Sequence, residues 1–481
     1  MILLYLALVW LMGCGFARAF LRGGLRSAPN VLLLLSVGAG LGLGIVSCLY
    51  FLCLSAVGPK VPVLAAVLGA SLIAGVVLGG LVKQDTSGPD WAAATAPSWT
   101  LLALFTMAIA LAATTFLTHS GAKPDGEWDA WSIWNLHARF LFLSGQSWKN
   151  AFSNQLAWSH PDYPLLVPGV IAMLWTLAGF DSTLGPIAVA FLFTFATAGV
   201  LISSVGILRG KTQALIAGAL LLASVAFIQI GAMQYADIPL SFYILTTLAL
   251  LCLQERFPES ALFTVVAGFT AGLAAWTKNE GLLFVLALIV ARTIAIFRFG
   301  NRAALPKQLG TLAGGLVLPL AVVAFFKFRL APPNDLTARS SHEIIAHLTD
   351  FGRWITVIEG FIKAALALGS FLIPVVLLLG LYWYLVRFHI AGQDRVSLTT
   401  IAIGLGLMLA GDFAVYVLLA NDVNWQVNTS IDRLFLQLWP AAVLAFFTAA
   451  NVPQLVAKPK VAEKLRSVRP QAKARRAAET R

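Results

Sequence analysis

Residues 98–140 read SWTLLALFTMAIALAATTFLTHSGAKPDGEWDAWSIWNLHARF. The first half, 98–118, carries no charge over a length that crosses a hydrocarbon core of about 30 Å as a helix. The second half turns abruptly to Asp125, Glu127 and Asp129, interleaved with tryptophans, which prefer the headgroup level. An apolar helix that delivers acids to one membrane surface is the unit from which the rest of the chain is read.

Outward from this stretch the same apolar grammar fills the chain. Of 481 residues 59% are hydrophobic and only 11% charged, and mean hydropathy is +0.85, whereas a soluble domain carries about 25% charged residues. The runs are continuous and rich in Leu and Ala, so they lack the alternation of a membrane β-barrel. The fold class is therefore all-α, a polytopic transmembrane helical bundle.

Apolar length and the punctuation between runs give thirteen spans, 1–17, 29–57, 61–82, 98–118, 184–207, 213–231, 238–254, 261–276, 281–298, 308–326, 367–387, 397–419 and 434–451. The run 164–179 is short and opens with Pro164 and Pro168, so it is expected to lie along the interface or re-enter. Positive-inside bias then places Arg18, Arg22 and Arg26, Arg209 with Lys211, Arg298 with Arg302 and Lys307, Arg387 with Arg395, and the tail in the cytoplasm. The N-terminus faces out, and the outward loops are 119–164, 232–237, 277–280, 327–366 and 420–433.

Three divisions follow: 1–97, N-terminal spans outside the core; 98–452, the core; and 453–481, a basic cytoplasmic tail expected to be disordered. From Lys458 to Arg481 nine Lys/Arg stand against Glu463 and Glu479, supplying +7 of the net +12. Such a tail suits anionic membrane lipids rather than nucleic acid. The four cysteines, Cys14, Cys48, Cys53 and Cys252, sit inside apolar runs and are given no chemistry. Leu11–Cys14 imitates a lipoprotein cleavage site, but the first Arg, Arg18, follows the apolar run. No internal repeat is found.

The charged groups near span ends concentrate on the outer side. In DGEWDAWSIWNLHARF, Trp131, Trp134, Ala138 and Phe142 recur at helical spacing as one buried stripe, with Ser132, Asn135 and Arg139 on another side. SHPDYPLLVP adds His160 and Asp162, MQYADIPLSFY adds Asp237, WTKNEGLLF adds Lys278 and Glu280, and VNTSIDRLFLQLWP adds Asp432 and Arg433. Taken singly, each is a snorkelling or capping group, and the tryptophans alone make an anchoring belt. Together, carboxylates beside cations at one face suit a reaction in which a base activates a hydroxyl while fixed positive charge stabilises a departing phosphate.

Metal patterns are thin. His342 and His347 in SHEIIAH are five residues apart, not the four of a zinc helix. Glu127 and Asp129 could share a divalent cation with Asp237 or His160, and a metal-free site is the alternative. Asp412 lies inside an apolar span, where an ionisable group is a functional candidate by default or a carboxylate satisfied by a neighbouring Tyr, Arg or backbone donor.

In order and placement, these motifs resemble the GT-C superfamily of integral-membrane glycosyltransferases, which includes protein O-mannosyltransferases and the bacterial aminoarabinose transferase for lipid A. An acidic motif follows an early span, a Pro-rich segment, HPDYPLLVP, opens an interfacial helix, a second Asp heads a later span, and a Lys-containing turn comes after. The resemblance covers roughly 98–440. It implies a polyprenyl-phosphate sugar donor, a hydroxyl acceptor on lipid, glycan or protein, and inverting transfer on the extracytoplasmic face of a bacterial inner membrane. It further implies Asp129 as catalytic base, Glu127 as the alternative, Asp237 as a second acid, and Lys278 and Arg433 facing the donor phosphate. Three additional N-terminal spans, the DGEWD spelling and the lack of a large periplasmic domain after the bundle depart from the pattern. The rival reading is a transporter or flippase of a lipid-linked saccharide, motivated by Asp412 and the 40 glycines.

Overall fold

The computed structural model describes residues 1–20, 28–81, 97–258, 260–334, 340–418 and 422–451. Arg22, Arg26 and the basic tail expected to be disordered lie outside the described residues. Helices dominate, and no strand forms among the described residues; a single bridge joins Phe388 to Ala450. This is the polytopic helical bundle that the apolar runs require.

The N-terminal helices are α1 (Ile2–Phe20), α2 (Ala28–Val57), α3 (Val61–Leu81) and α4 (Trp99–Ala122). The loop that follows holds α5 (Asn135–Leu143), and α6 (Leu166–Ala178) leads into α7 (Leu184–Arg209), α8 (Lys211–Leu222) and α9 (Val225–Ala232). Next come α10 (Asp237–Arg256), α11 (Leu262–Thr277), α12 (Glu280–Phe299), α13 (Leu305–Arg329), α14 (Ser341–Thr349) and α15 (Phe351–Ala367). The chain closes with α16 (Val375–Val386), α17 (Arg395–Leu418) and α18 (Val423–Ala449).

Ten helices are long and apolar enough to cross a membrane, or twelve if each of two bent pairs counts as one span. The one expected span left over, 261–276, coincides with α11, which has only 16 residues. The expected span 213–231 is broken between α8 and α9 by 61°, and 367–387 falls across a 72° break between α15 and α16. The two breaks meet, since the Ser224 hydroxyl donates to the Gly369 carbonyl at 3.3 Å.

Two expected outward loops are largely helical. Within 327–366, α13 runs on to Arg329, and a capping box between Ser340 and Glu343 starts α14. Asp350 caps α15, and Asp422 accepts from the Trp425 amide at 2.8 Å to start α18 eleven residues before the expected 434. Hydropathy ends a span where polar residues begin, but these caps satisfy the free amides and let polar first turns stay helical.

The run 164–179 becomes α6, whose residues Leu166–Trp175 are all buried against α2, α5 and neighbouring helices. At 13 residues, about 20 Å, it is too short to cross, and it is enclosed by protein rather than laid on lipid. The centre of the bundle is α10, buried from Asp237 to Gln254 and packed against α7, α11 and α18. Asp237 at its head is thereby held inside the assembly.

The charge-based sides sort onto two ends. At one end Arg209 donates to Asp394 at 2.5 Å and through Nε to the Thr448 carbonyl at 2.6 Å, while the Asn451 amide donates to the Arg387 carbonyl at 3.0 Å. The acidic first loop, the start of α10 and the α11–α12 turn gather at the other.

Candidate active site

Asp237 occupies the first turn of α10, where the helix N-terminus favours negative charge, and it is 1% exposed. Its Oδ1 accepts from Lys278 Nζ at 3.2 Å and from Gln437 Nε2 at 2.6 Å. Its Oδ2 lies 3.7 Å from Arg433 Nη1. Arg433 and Gln437 are four residues apart on α18, so both project from one face toward the head of α10.

Arg433 Nη1 also donates to Asp129 Oδ2, which makes this guanidinium a bridge between the first outer loop and α10. Its plane lies over the Tyr235 ring, 5.0 Å from the centroid. Burial, with the nearby Asp129 charge, pushes the Tyr235 phenol up to about 12.

Lys278 leaves the end of α11 in an extended conformation and reaches back to Asp237 and, at 2.8 Å, to Glu280 Oε1. The turn is tight because Gly281 packs on α11; a Cβ there would stand 1.9 Å from the Ala274 carbonyl oxygen. Burial alone would lower the Lys278 ammonium, but Asp237 and Glu280 outweigh it and hold the group above its ordinary range.

A second polar knot adjoins the first through Asn279. Its Nδ2 donates to Asp162 Oδ2 at 2.8 Å, and Lys327 Nζ donates to Asn279 Oδ1 and to the Asp162 carbonyl, each at 2.6 Å. Lys327 belongs to the last turns of α13, not to an outer loop.

Neutral side chains hold the first loop in place. Gln234, at φ +64, donates to the Pro124 carbonyl at 2.9 Å and accepts from Asn135 Nδ2 at 3.0 Å. The Glu127 amide donates to the Met233 carbonyl at 3.3 Å, and Gly126, at φ +79, supplies the left-handed turn before it. These contacts set Asp129 beside the head of α10.

The expected stripe is corrected here. Residues Ala130–Trp134 form a π turn running directly into α5, which shifts the faces relative to a regular helix. Trp134 and Ala138 are buried as expected, but Trp131 is 41% exposed, and Ser132 and Asn135 turn inward. Trp131 instead packs edge-on against exposed Trp128.

Other candidates lie apart. Glu127 pairs with Lys123 and approaches His119 Nε2 at 3.5 Å; Asp125 pairs with Arg139 at 3.3 Å; and Asp432 is exposed on α18. His160, at φ +50, stacks on Tyr163 with centroids 4.8 Å apart, and Tyr163 stacks in turn on Trp134 at 5.6 Å. Burial and then the Glu280 charge raise the Tyr163 phenol well above its usual range. Beneath them His137 is fully buried, with Nε2 3.3 Å from the Ser159 hydroxyl.

Among the described residues, no group of three or more His, Cys, Asp or Glu side chains converges as a metal site. The carboxylates are met by cations instead, with Asp129, Asp237 and Glu280 arranged around Arg433 and Lys278. Asp237 Oδ2, Arg433 Nε and Gln437 Oε1 are buried without hydrogen-bond partners among the described residues. A buried charge cluster with free donors and acceptors at one end of a helical bundle is the kind of centre that receives a polar ligand.

The class is thus an integral-membrane helical protein with an ion-paired polar centre at one end. Residues 160–326 match the dolichyl-phosphate-mannose-protein mannosyltransferase family. The match supports a membrane glycosyltransferase of the GT-C type, as the motif order implied. It spans His160, Asp162, Asp237, Lys278 and Glu280, while the first-loop acids and Arg433 lie on either side of it. No curated protein and no solved structure matches this chain.

Proposed function

We propose that this chain transfers a sugar from a polyprenyl-phosphate donor to a hydroxyl acceptor on lipid, glycan or protein, with inversion, on the extracytoplasmic face of a bacterial inner membrane. The observation that carries the reading is the Arg433 bridge between Asp129 and Asp237, beside the Lys278 ammonium. Fixed cations and carboxylates then occupy one centre at the end of apolar helices, where an isoprenoid chain can lie alongside.

Asp129 takes the proton of the acceptor hydroxyl as its oxygen bonds to the anomeric carbon. The carbon–oxygen bond to phosphate breaks on the opposite face, and its electron pair leaves with the polyprenyl phosphate. Arg433 and Lys278 stabilise that leaving charge, so no separate general acid is required. A donor phosphate drawing on Arg433 also loosens its hold on Asp129 and leaves the carboxylate free to accept a proton. Asp237 keeps both cations in place. Glu127, paired with Lys123 and facing His119, lies outside the Arg433–Lys278 centre and is the poorer base.

The test is transfer of labelled sugar from a lipid-linked donor by the purified protein, with Asp129→Asn and Arg433→Met as comparisons. Full transfer by both variants would remove this centre from the reaction.

A further inference from the structure

Asp412 stands outside all of these ion pairs. It lies in α17, is 3% exposed, and its Oδ2 has no hydrogen-bond partner among the described residues. A carboxylate oxygen is an acceptor only, and buried without a donor it is costly. Such an atom in a folded chain calls for a ligand or another explanation.

Its position is fixed from two sides. The Tyr416 and Ser430 hydroxyls are 2.6 Å apart, which sets the register of the consecutive, oppositely running α17 and α18. One turn inward from Tyr416, position 412 is level with the α18 turn that carries Arg433. On its other side α17 presses against α12, since a Cβ at Gly411 would meet Leu283 Cδ2 at 2.5 Å. Leu283 is three residues after Glu280, so Gly411 packs one turn from the Lys278–Glu280 turn and Asp412 stands one residue further toward that end.

We propose that Asp412 is a specificity-determining residue whose Oδ2 accepts a hydrogen bond from a hydroxyl of the transferred sugar; this rests on the glycosyl-transfer reading above. The chemistry selects the sugar among the parts of the donor. The phosphate oxygens are taken by Arg433 and Lys278, and the isoprenoid has no hydrogen-bonding group. The sugar ring, which adjoins the phosphate held by Arg433 and Lys278, is the part of the donor that brings hydroxyl groups to this end of α17. The acceptor arrives from the water side, where Asp129, Trp128 and Trp131 stand.

The experiment uses the full chain in lipid nanodiscs with polyprenyl-phosphate sugars that each lack one ring hydroxyl. At the hydroxyl held by Asp412, the deoxy donor costs the wild-type chain about 10- to 100-fold in kcat/KM. Asp412→Leu loses a similar factor on the intact donor, and that same deoxy donor costs it nothing further, while penalties at other positions persist. Asp412→Asn, which keeps an acceptor oxygen, retains part of the selectivity and serves as the coupled variant if the leucine form does not fold. Deoxy penalties that are the same in wild type and variants at every position overturn the assignment alone. No transfer by the wild-type chain from any lipid-linked donor overturns the glycosyl-transfer reading and this inference with it.

Discussion

Arg433 donates to Asp129 across 304 residues of chain, and the same guanidinium nitrogen lies 3.7 Å from Asp237. One cation therefore ties the end of the first outer loop to the head of the central helix. Arg433→Lys keeps the charge but loses the planar fork that serves two carboxylates at once. Transfer from a lipid-linked donor is expected to fall about 10²-fold or more in Arg433→Lys and further in Arg433→Met, the size seen when one fixed donor to a developing charge is removed. Near-normal turnover in the lysine variant would show that one point charge suffices.

The first-loop acids separate by partner. Asp129 is held at the ion-paired centre, whereas Glu127 belongs to a peripheral group with Lys123 and His119. Asp129→Asn is expected to lower kcat by about 10²- to 10⁴-fold, the usual contribution of a general base, with little change in donor KM. Glu127→Gln should stay within a few-fold of wild type. Reversal of that order in steady-state assays would move the base to Glu127.

Gln234 offers a test of how the loop is held. Its side chain bonds to Pro124 and Asn135, and its backbone sits at φ +64, where residues with a Cβ are strained. Gln234→Ala should lose both bonds and keep the strain, while Gln234→Gly loses the bonds and relieves it. The alanine form is expected to melt lower than the glycine form, by about 1 kcal/mol, and both should show reduced kcat as Asp129 loses its placement. Equal melting in the two forms would mean that the left-handed backbone carries no strain.

How much of this was legible in the sequence depends on the kind of signal. Asp237, Lys278 and Arg433 could be found because a charge beside an apolar run is conspicuous and costly. Gln234, Gln437 and Asn279 are neutral, so nothing in hydropathy or charge marks them, although each touches the ion-paired groups or fixes their loop. The four-residue spacing of Arg433 and Gln437 was available, but only once α18 was known to begin at Val423. Lys327 looked like the first residue of an outer loop because a lysine ends an apolar window, yet the backbone stays helical through Arg329. The π turn at Ala130–Trp134 has no composition signature, and it alone moves Trp131 out of the buried stripe.

His137 gives the fold an acid-sensitive point. Burial, aided by the neighbouring His160 charge, pushes its imidazole down from 6.5 to about 4. Above pH 7 both folded and unfolded chains hold it neutral, and it adds no pH dependence. As pH falls through 6.5 the unfolded chain takes up a proton that the folded chain refuses, so the folded state loses ground until about pH 4, where both are protonated. The full loss is on the order of 3 kcal/mol, taking 1.36 kcal/mol per unit over that interval. Thermal unfolding of the purified protein between pH 7 and 4 should therefore fall more steeply in wild type than in His137→Gln, whose amide occupies similar space and does not titrate. The glutamine form starts less stable at pH 7, because its bond toward Ser159 is altered, and the two curves should converge toward pH 4. Parallel curves across that range would show that His137 is protonated in the folded chain as readily as in the unfolded one, and that the ring lies open to water.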